Sequence, residues 1–194
     1  MFLDVEGQKV LDFVKENTKM FDESHDWRHA VKVAENAVKI LNRKDVLYLA
    51  LLHDVCDHKY PESIPRLKLS NWIYNNIPEY YYIDDLIDKV SFSYQITHYK
   101  LRSDTENKVL EAVRDGDRYE ALSIKRLELY SKRIGRGKED AVQHCFDKIL
   151  RLVPEGFIKH INRKTIDGHN VVVDYVNKYS RFKITHLKYC DYNL

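Results

Sequence analysis

Four residues in this sequence carry side chains that bind divalent cations and stand where a protein interior is expected. His53 and Asp54 close the apolar run Leu49-Ala50-Leu51-Leu52. His53 continues the face of Val46, Leu49 and Ala50, and Asp54 continues that of Leu47, Ala50 and Leu51, so both are directed toward a core. His29 precedes Ala30 and stands one turn before Val33, at the start of another apolar stripe. Asp117 interrupts a third stripe, Leu110, Val113, Ala121 and Ile124. A buried carboxylate costs several kcal/mol unless it is paired or ligates a cation. Imidazoles and carboxylates converging from three helices supply what a divalent metal needs. Taken singly, each has a plainer reading: a satisfied core histidine, a helix cap at Asp54, or a pair between Asp117 and Arg114 or Arg118. Asp115 is the alternative last ligand, but residues two apart face different sides of a helix, and the stripe favours Asp117.

The elements that must position these residues read as helices nearly throughout. Val10, Leu11, Phe13 and Val14 mark a helix ending near Asn17. Asp26 is placed to cap a second, with Ala30, Val33, Ala34, Ala37, Val38 and Leu41 on its stripe. Asp45 opens a third through Val46, Leu47, Ala50 and Leu51. Pro61 starts a fourth through Ile64, Leu67 and Trp72. A fifth runs from about Asp84 to Phe92, and a long one from about Glu106 to Ser131. Further helices are expected over Glu139 to Leu152 and along Val172, Tyr175, Val176, Tyr179 and Phe182. The expectation is an all-α bundle in a single domain of residues 1–194, with a core over about 20–152 and a C-terminal helical extension over about 153–194.

Composition agrees with that class. The chain has 194 residues, 44% apolar and 32% charged, which excludes a disordered or membrane-embedded chain. Six glycines and four prolines are few for an all-β fold. With 32 basic and 30 acidic residues the net charge is +2, so there is no overall basic field and DNA is not an expected partner. Three distant cysteines, Cys56, Cys145 and Cys190, make no disulfide framework, and an acid interrupts the N-terminus before any apolar run develops. A reducing, cytoplasmic setting without a signal peptide or membrane span is expected. A homodimer is compatible with all of this.

The ordered pattern His29, His53-Asp54, Asp117 resembles the H…HD…D signature of the HD-domain superfamily of metal-dependent phosphohydrolases. His25-Asp26-Trp27-Arg28-His29 is similar to the "HDWxH" opening of its bacterial nucleotide-pyrophosphohydrolase branch, and Leu51 to Tyr60 to that branch's "LLHDIxDxKF". Val90-Ser91-Phe92 resembles "ISF", Asp115 to Leu122 resembles "DADRLDAI", and His144 to Leu150 resembles "HFYEKLL". The resemblance spans about residues 23–152. It implies an HD-domain helical bundle, His29, His53, Asp54 and Asp117 as ligands of one divalent ion, and a nucleotide or another small phosphate ester as substrate. It departs where the branch has a glycine-rich stretch: this chain has Ser123-Ile124-Lys125-Arg126-Leu127-Glu128.

Two His and two Asp leave open positions in an octahedral shell for Mn²⁺, the first choice, or for Fe²⁺, Co²⁺, Ni²⁺ or Mg²⁺. A water there loses a proton readily and a phosphoryl oxygen is polarised. Only His58 and His98 lie between the HD pair and Asp117 as further histidines, which favours one metal over two. Asp57, four residues after His53, is expected to face the site as a general base, a role the resemblance also implies; its plainer reading is a partner orienting His53 or His58. His25 is a leaving-group acid if residues 25–28 are helical, and otherwise a loop histidine. His58, Lys59 and Arg118 are candidate phosphate contacts, against solvated side chains or an Arg118–Asp115 pair. Residues 125–138 hold Lys125, Arg126, Lys132, Arg133, Arg136 and Lys138 against the single acid Glu128, so Arg133, Arg136 and Lys138 are expected to grip a polyphosphate. The resemblance to the nucleotide-pyrophosphohydrolase branch implies hydrolysis of a nucleoside triphosphate to monophosphate and pyrophosphate. The alternatives are a nucleoside monophosphate phosphatase, and a non-catalytic helical module that binds RNA or protein and keeps its metal for folding.

Overall fold

The computed structural model describes residues 3–91 and 104–121, together with Arg126, Glu128, Leu129, Lys132 and Gly135. The described residues form helices, turns and no strand, so the chain is all-α. By its internal contacts it forms two compact units, Met1–Glu120 and Ala121–Leu194. The expected helices over 139–152 and 172–182 lie outside the described residues.

Helix α1, Val5–Asn17, starts earlier than the apolar stripe alone indicates, because Asp4 caps it by accepting from the Gly7 N–H at 2.8 Å. Helix α2, Trp27–Ile40, is capped by Asp26, which accepts from Arg28 N–H at 2.8 Å. Its buried stripe is His29, Ala30, Val33, Ala34 and Ala37. Helix α3, Lys44–Leu52, is buried along nearly its whole length and packs against both α1 and α2. The Asp45 carboxylate near its start is buried, and Arg43, the Tyr82 hydroxyl and the Val46 N–H supply the hydrogen bonds that this burial demands.

Two expected elements differ. The fourth helix does not begin at Pro61: α4 is Arg66–Asn76, with Pro65 at its N-cap. The ring of Pro65 disfavours helical geometry at Ile64, so a helix entering from Pro61 cannot pass through. The fifth, expected from about Asp84 to Phe92, is a short helix α5 Asp84–Ile87 that tightens into a 3₁₀ turn Asp88–Val90, the second such segment after the 3₁₀ stretch Pro78–Ile83 that precedes it. The preceding segment is kinked at Tyr80, whose φ of −113° and ψ of 20° are not helical. Helix α6, Asp104–Ala121, begins close to its expected start, and the expected continuation to Ser131 lies mostly outside the described residues.

One hydrophobic core joins these elements, with Val10 and Val14 of α1, Val33 and Ala37 of α2, most of α3, and Val109, Leu110 and Val113 of α6. Arg114 donates to the Lys89 carbonyl at 3.0 Å and ties α6 to the second 3₁₀ turn. The backbones of α2 and α6 approach closely at Gly116. A Cβ there would lie 2.8 Å from the Val33 carbonyl oxygen and 2.9 Å from the Ala37 nitrogen, so only glycine fits without moving backbone.

Candidate metal centre

Helices α2, α3 and α6 bring the candidate ligands together. His29 stands in the first turn of α2, His53 is the residue that ends α3, Asp54 follows it, and Asp117 stands in the last turns of α6. One ligand atom each from His29, His53 and Asp54 lies within 4.8 Å of the other two, so this group can hold a metal ion. The Asp54 Oδ2 is 3.3 Å from His53 Nε2 and 3.4 Å from His29 Nε2. Asp117 joins through His29, its Oδ1 3.4 Å from the same Nε2. Neighbouring donors at about 2.1 Å from an octahedral ion sit about 3 Å apart, so these separations fit one cation with little adjustment.

The ring nitrogens are set for ligation. His53 Nδ1 lies 2.7 Å from the Ala50 carbonyl, which can only accept, so the proton is on Nδ1 and Nε2 carries the lone pair. That Nε2 is buried and makes no hydrogen bond among the described residues. A buried polar atom of this kind calls for a partner, and a cation supplies one. His29 Nδ1 lies 3.1 Å from Glu120 Oε2, so the carboxylate fixes the second imidazole the same way. Glu120 was not singled out by the sequence; the available signal was its place three residues after Asp117, on the same side of the helix.

The imidazoles are sealed, with His29 and His53 side chains 1% and 3% exposed, while Asp54 and Asp117, at 21% and 32%, form the open side. Burial opposes charge on His53, but Asp54 and Asp117 outweigh it and hold the imidazole above its ordinary pKa. Burial likewise opposes charge on Asp54 and Asp117, and the two histidines overcome it, holding both carboxyls well below the usual range.

The remaining candidates divide. Asp57 does not follow from helical spacing, because α3 stops at Leu52 and a turn intervenes. Its largely buried carboxylate accepts from the Lys59 N–H at 3.0 Å and from Lys59 Nζ at 3.2 Å. Its own N–H donates to the Asp54 carbonyl at 3.0 Å, which keeps the two acids one tight turn apart. His58 is 94% exposed and turned to solvent, its Nδ1 3.8 Å from Asp57; the turn after Asp54 carries it away from the ligands. Lys59 is half exposed and engaged with Asp57. Arg118 is buried, 4.0 Å from Asp115, and burial draws its guanidinium below the usual pKa. Asp115 is also buried, whereas Asp117 is partly exposed and meets His29. His25 precedes α2 rather than belonging to it, yet its ring lies 6.0 Å from that of His29. Arg133, Arg136 and Lys138 lie outside the described residues. Cys56 is a free thiol whose pKa burial pushes up to about 11.

Among the described residues no helix is long and apolar enough to cross a membrane. No protein-family profile and no curated protein matches the sequence. Solved structures do. Bacillus subtilis YpgQ is 21% identical and aligns over 89% of this chain and 92% of its own, with a TM-score of 0.68. A structure of YpgQ in complex with ADP aligns equally well, at 20% identity. A Lactobacillus plantarum protein is 17% identical over 92% of this chain and 97% of its own, with a TM-score of 0.66. What the chain shares with these proteins is the all-α fold.

Proposed function

We propose that this chain is a metal-dependent phosphohydrolase of the HD-domain type, converting a nucleoside triphosphate to its monophosphate and pyrophosphate. The observation that carries the reading is the buried His53 Nε2, its proton excluded by the Ala50 carbonyl, facing Asp54 beside His29. The resemblance of the four ligands and their flanking motifs to that superfamily supports it, as does the ADP bound to the structural neighbour YpgQ.

His29, His53, Asp54 and Asp117 would hold the ion, Mn²⁺ by preference for an imidazole-rich set. When bound, the cation lowers the pKa of a water and polarises a phosphoryl oxygen. Water attacks the α-phosphorus, the bond to the α–β bridging oxygen breaks, and pyrophosphate leaves. Asp57, next to Asp54 and held by Lys59, takes the proton of the attacking water. His25 gives a proton to the leaving oxygen, its ring being close to that of His29. Glu120 and the Ala50 carbonyl keep both ligand imidazoles in the required tautomer.

The test is hydrolysis by the Mn²⁺-loaded protein across a nucleotide panel, beside His53→Ala and Asp54→Ala. Release of pyrophosphate by the wild type and its loss in both variants is the expected result. Wild-type protein that retains one equivalent of Mn²⁺ yet releases neither pyrophosphate nor phosphate would sink the proposal.

A further inference from the structure

The loop before α2 contains a hydrogen-bonded cluster that centres on one atom, His25 Nδ1. The Ser24 hydroxyl lies 2.7 Å from it and the Tyr60 hydroxyl 2.8 Å. Both hydroxyls also meet the Asp22 carboxylate, Ser24 at Oδ1 in a short hydrogen bond and Tyr60 at Oδ2 at 2.7 Å. Backbone bonds hold the loop in this shape, with the His25 and Asp26 N–H groups both donating to the Asp22 carbonyl and the Ser24 N–H donating to Asp22 Oδ1. Tyr60 comes from the far side of the HD pair, its ring stacked on Phe21 at 4.2 Å, and its N–H donates to the Asp57 carbonyl.

Counting protons fixes the histidine. An ionised carboxylate only accepts, and a hydroxyl has one proton to give. Two hydroxyls within hydrogen-bond distance of Asp22 both spend their protons on it, since an oxygen–oxygen contact without a proton would be repulsive. Each then faces His25 with a lone pair. The nitrogen between two lone pairs has to be the donor, so His25 carries its proton on Nδ1. Nε2 is thereby the nitrogen that carries the lone pair of the neutral ring.

We infer that Asp22, acting through Ser24 and Tyr60, is a positioning residue that holds His25 in the Nδ1–H form with Nε2 as its working nitrogen. This rests on the reading of His25 as the proton donor in the proposed hydrolysis: it gives the proton from Nε2 as the imidazolium and is left as the neutral Nδ1–H form. The logic parallels that of an aspartate orienting the histidine of a catalytic triad, with two hydroxyls interposed. It also gives Tyr60 a task that its place in the sequence does not reveal.

The experiment reads the tautomer and turnover separately. Ring ¹H–¹⁵N correlation spectra of the Mg²⁺-loaded, ¹⁵N-labelled protein at alkaline pH report which nitrogen is protonated, with His25→Gln assigning the signal. The wild type is expected to show Nδ1–H. Asp22→Asn lets the amide donate to a hydroxyl, which frees that hydroxyl's proton for Nδ1, so the ring is expected to shift toward Nε2–H. With Mn²⁺ and the best nucleotide, kcat is expected to fall about tenfold or more with KM within about twofold. Tyr60→Phe, which keeps the stack on Phe21, is expected to give a smaller loss in the same direction and stands in should Asp22→Asn fold poorly. An Nε2–H wild type, or a tautomer unmoved by Asp22→Asn and Tyr60→Phe, overturns the inference whether or not the protein hydrolyses nucleotides. A shifted tautomer with kcat unchanged overturns the positioning role alone.

Discussion

Each ligand imidazole has one nitrogen committed before any ion arrives, His53 to the Ala50 carbonyl and His29 to Glu120. The commitment is what makes the group able to hold a metal ion, because the opposite nitrogens are left as lone pairs. Glu120→Gln removes the charge but can keep one hydrogen bond, and is expected to weaken Mn²⁺ binding by about 10- to 100-fold, read by titration calorimetry. Acidity acts on the same atoms. With its pKa raised by Asp54 and Asp117, His53 keeps a proton to a pH above the ordinary imidazole value of about 6.5, and the ion has to displace it. Apparent Mn²⁺ affinity is therefore expected to rise with pH through that window and flatten above it. Without metal the signs separate. The raised His53 contributes stability that is complete below the unfolded imidazole pKa and lost as pH rises through the folded one. The depressed Asp54 and Asp117 contribute stability above the ordinary carboxylate range that is lost on deep acidification. The four ligands were legible in sequence because each interrupts an apolar stripe. Glu120 and Asp22 were not, since their importance lies in a partner on another segment or behind two hydroxyls, and no periodicity encodes that.

At the scale of elements, the sequence was most readable where local chemistry and burial agree. Asp26 caps α2 and the stripe after it is buried, as expected. It was least readable at Pro61 and after Ile87, where a proline one turn on sets the start or a tightening into a 3₁₀ turn sets the end. Asp57 shows what such a boundary does to a site: counting four residues from His53 presumes a helix that has already stopped. The α2–α6 contact offers a sharper test. Alanine at Gly116 gains about 0.5–1 kcal/mol in helix propensity but forces a methyl against the Val33 carbonyl and the Ala37 nitrogen, an overpacking cost of about 1–3 kcal/mol. The resembled "DADRLDAI" motif has alanine at this place, and here the α2 backbone occupies the volume it would need. Gly116→Ala is expected to destabilise the protein by about 1 kcal/mol in chemical denaturation and to weaken Mn²⁺ binding. An unchanged denaturation midpoint would show that α2 and α6 separate without cost.

For the whole molecule, candidate ligands drawn from α2, the end of α3 and α6 would make a bound ion a cross-brace on the residues 1–120 unit. An ion that binds only the folded state adds stability by mass action, about 2.7 kcal/mol at a concentration 100 times Kd. Mn²⁺ is expected to raise the melting temperature of the wild type, with the shift reversed by chelation and absent in His53→Ala. The apolar core from α1, α2, α3 and α6 adds its own burial to that stability. The crowding at Gly116 has one more effect. Because two backbones touch there, with no side chain between them to change rotamer, α2 and α6 cannot move closer at that point to tighten the site. Donors 3.4 Å apart already match the roughly 2.3–2.6 Å bonds of Ca²⁺, whereas an ion with bonds near about 2.1 Å has to draw the His29 and Asp117 side chains together by about 0.4 Å without help from the helices.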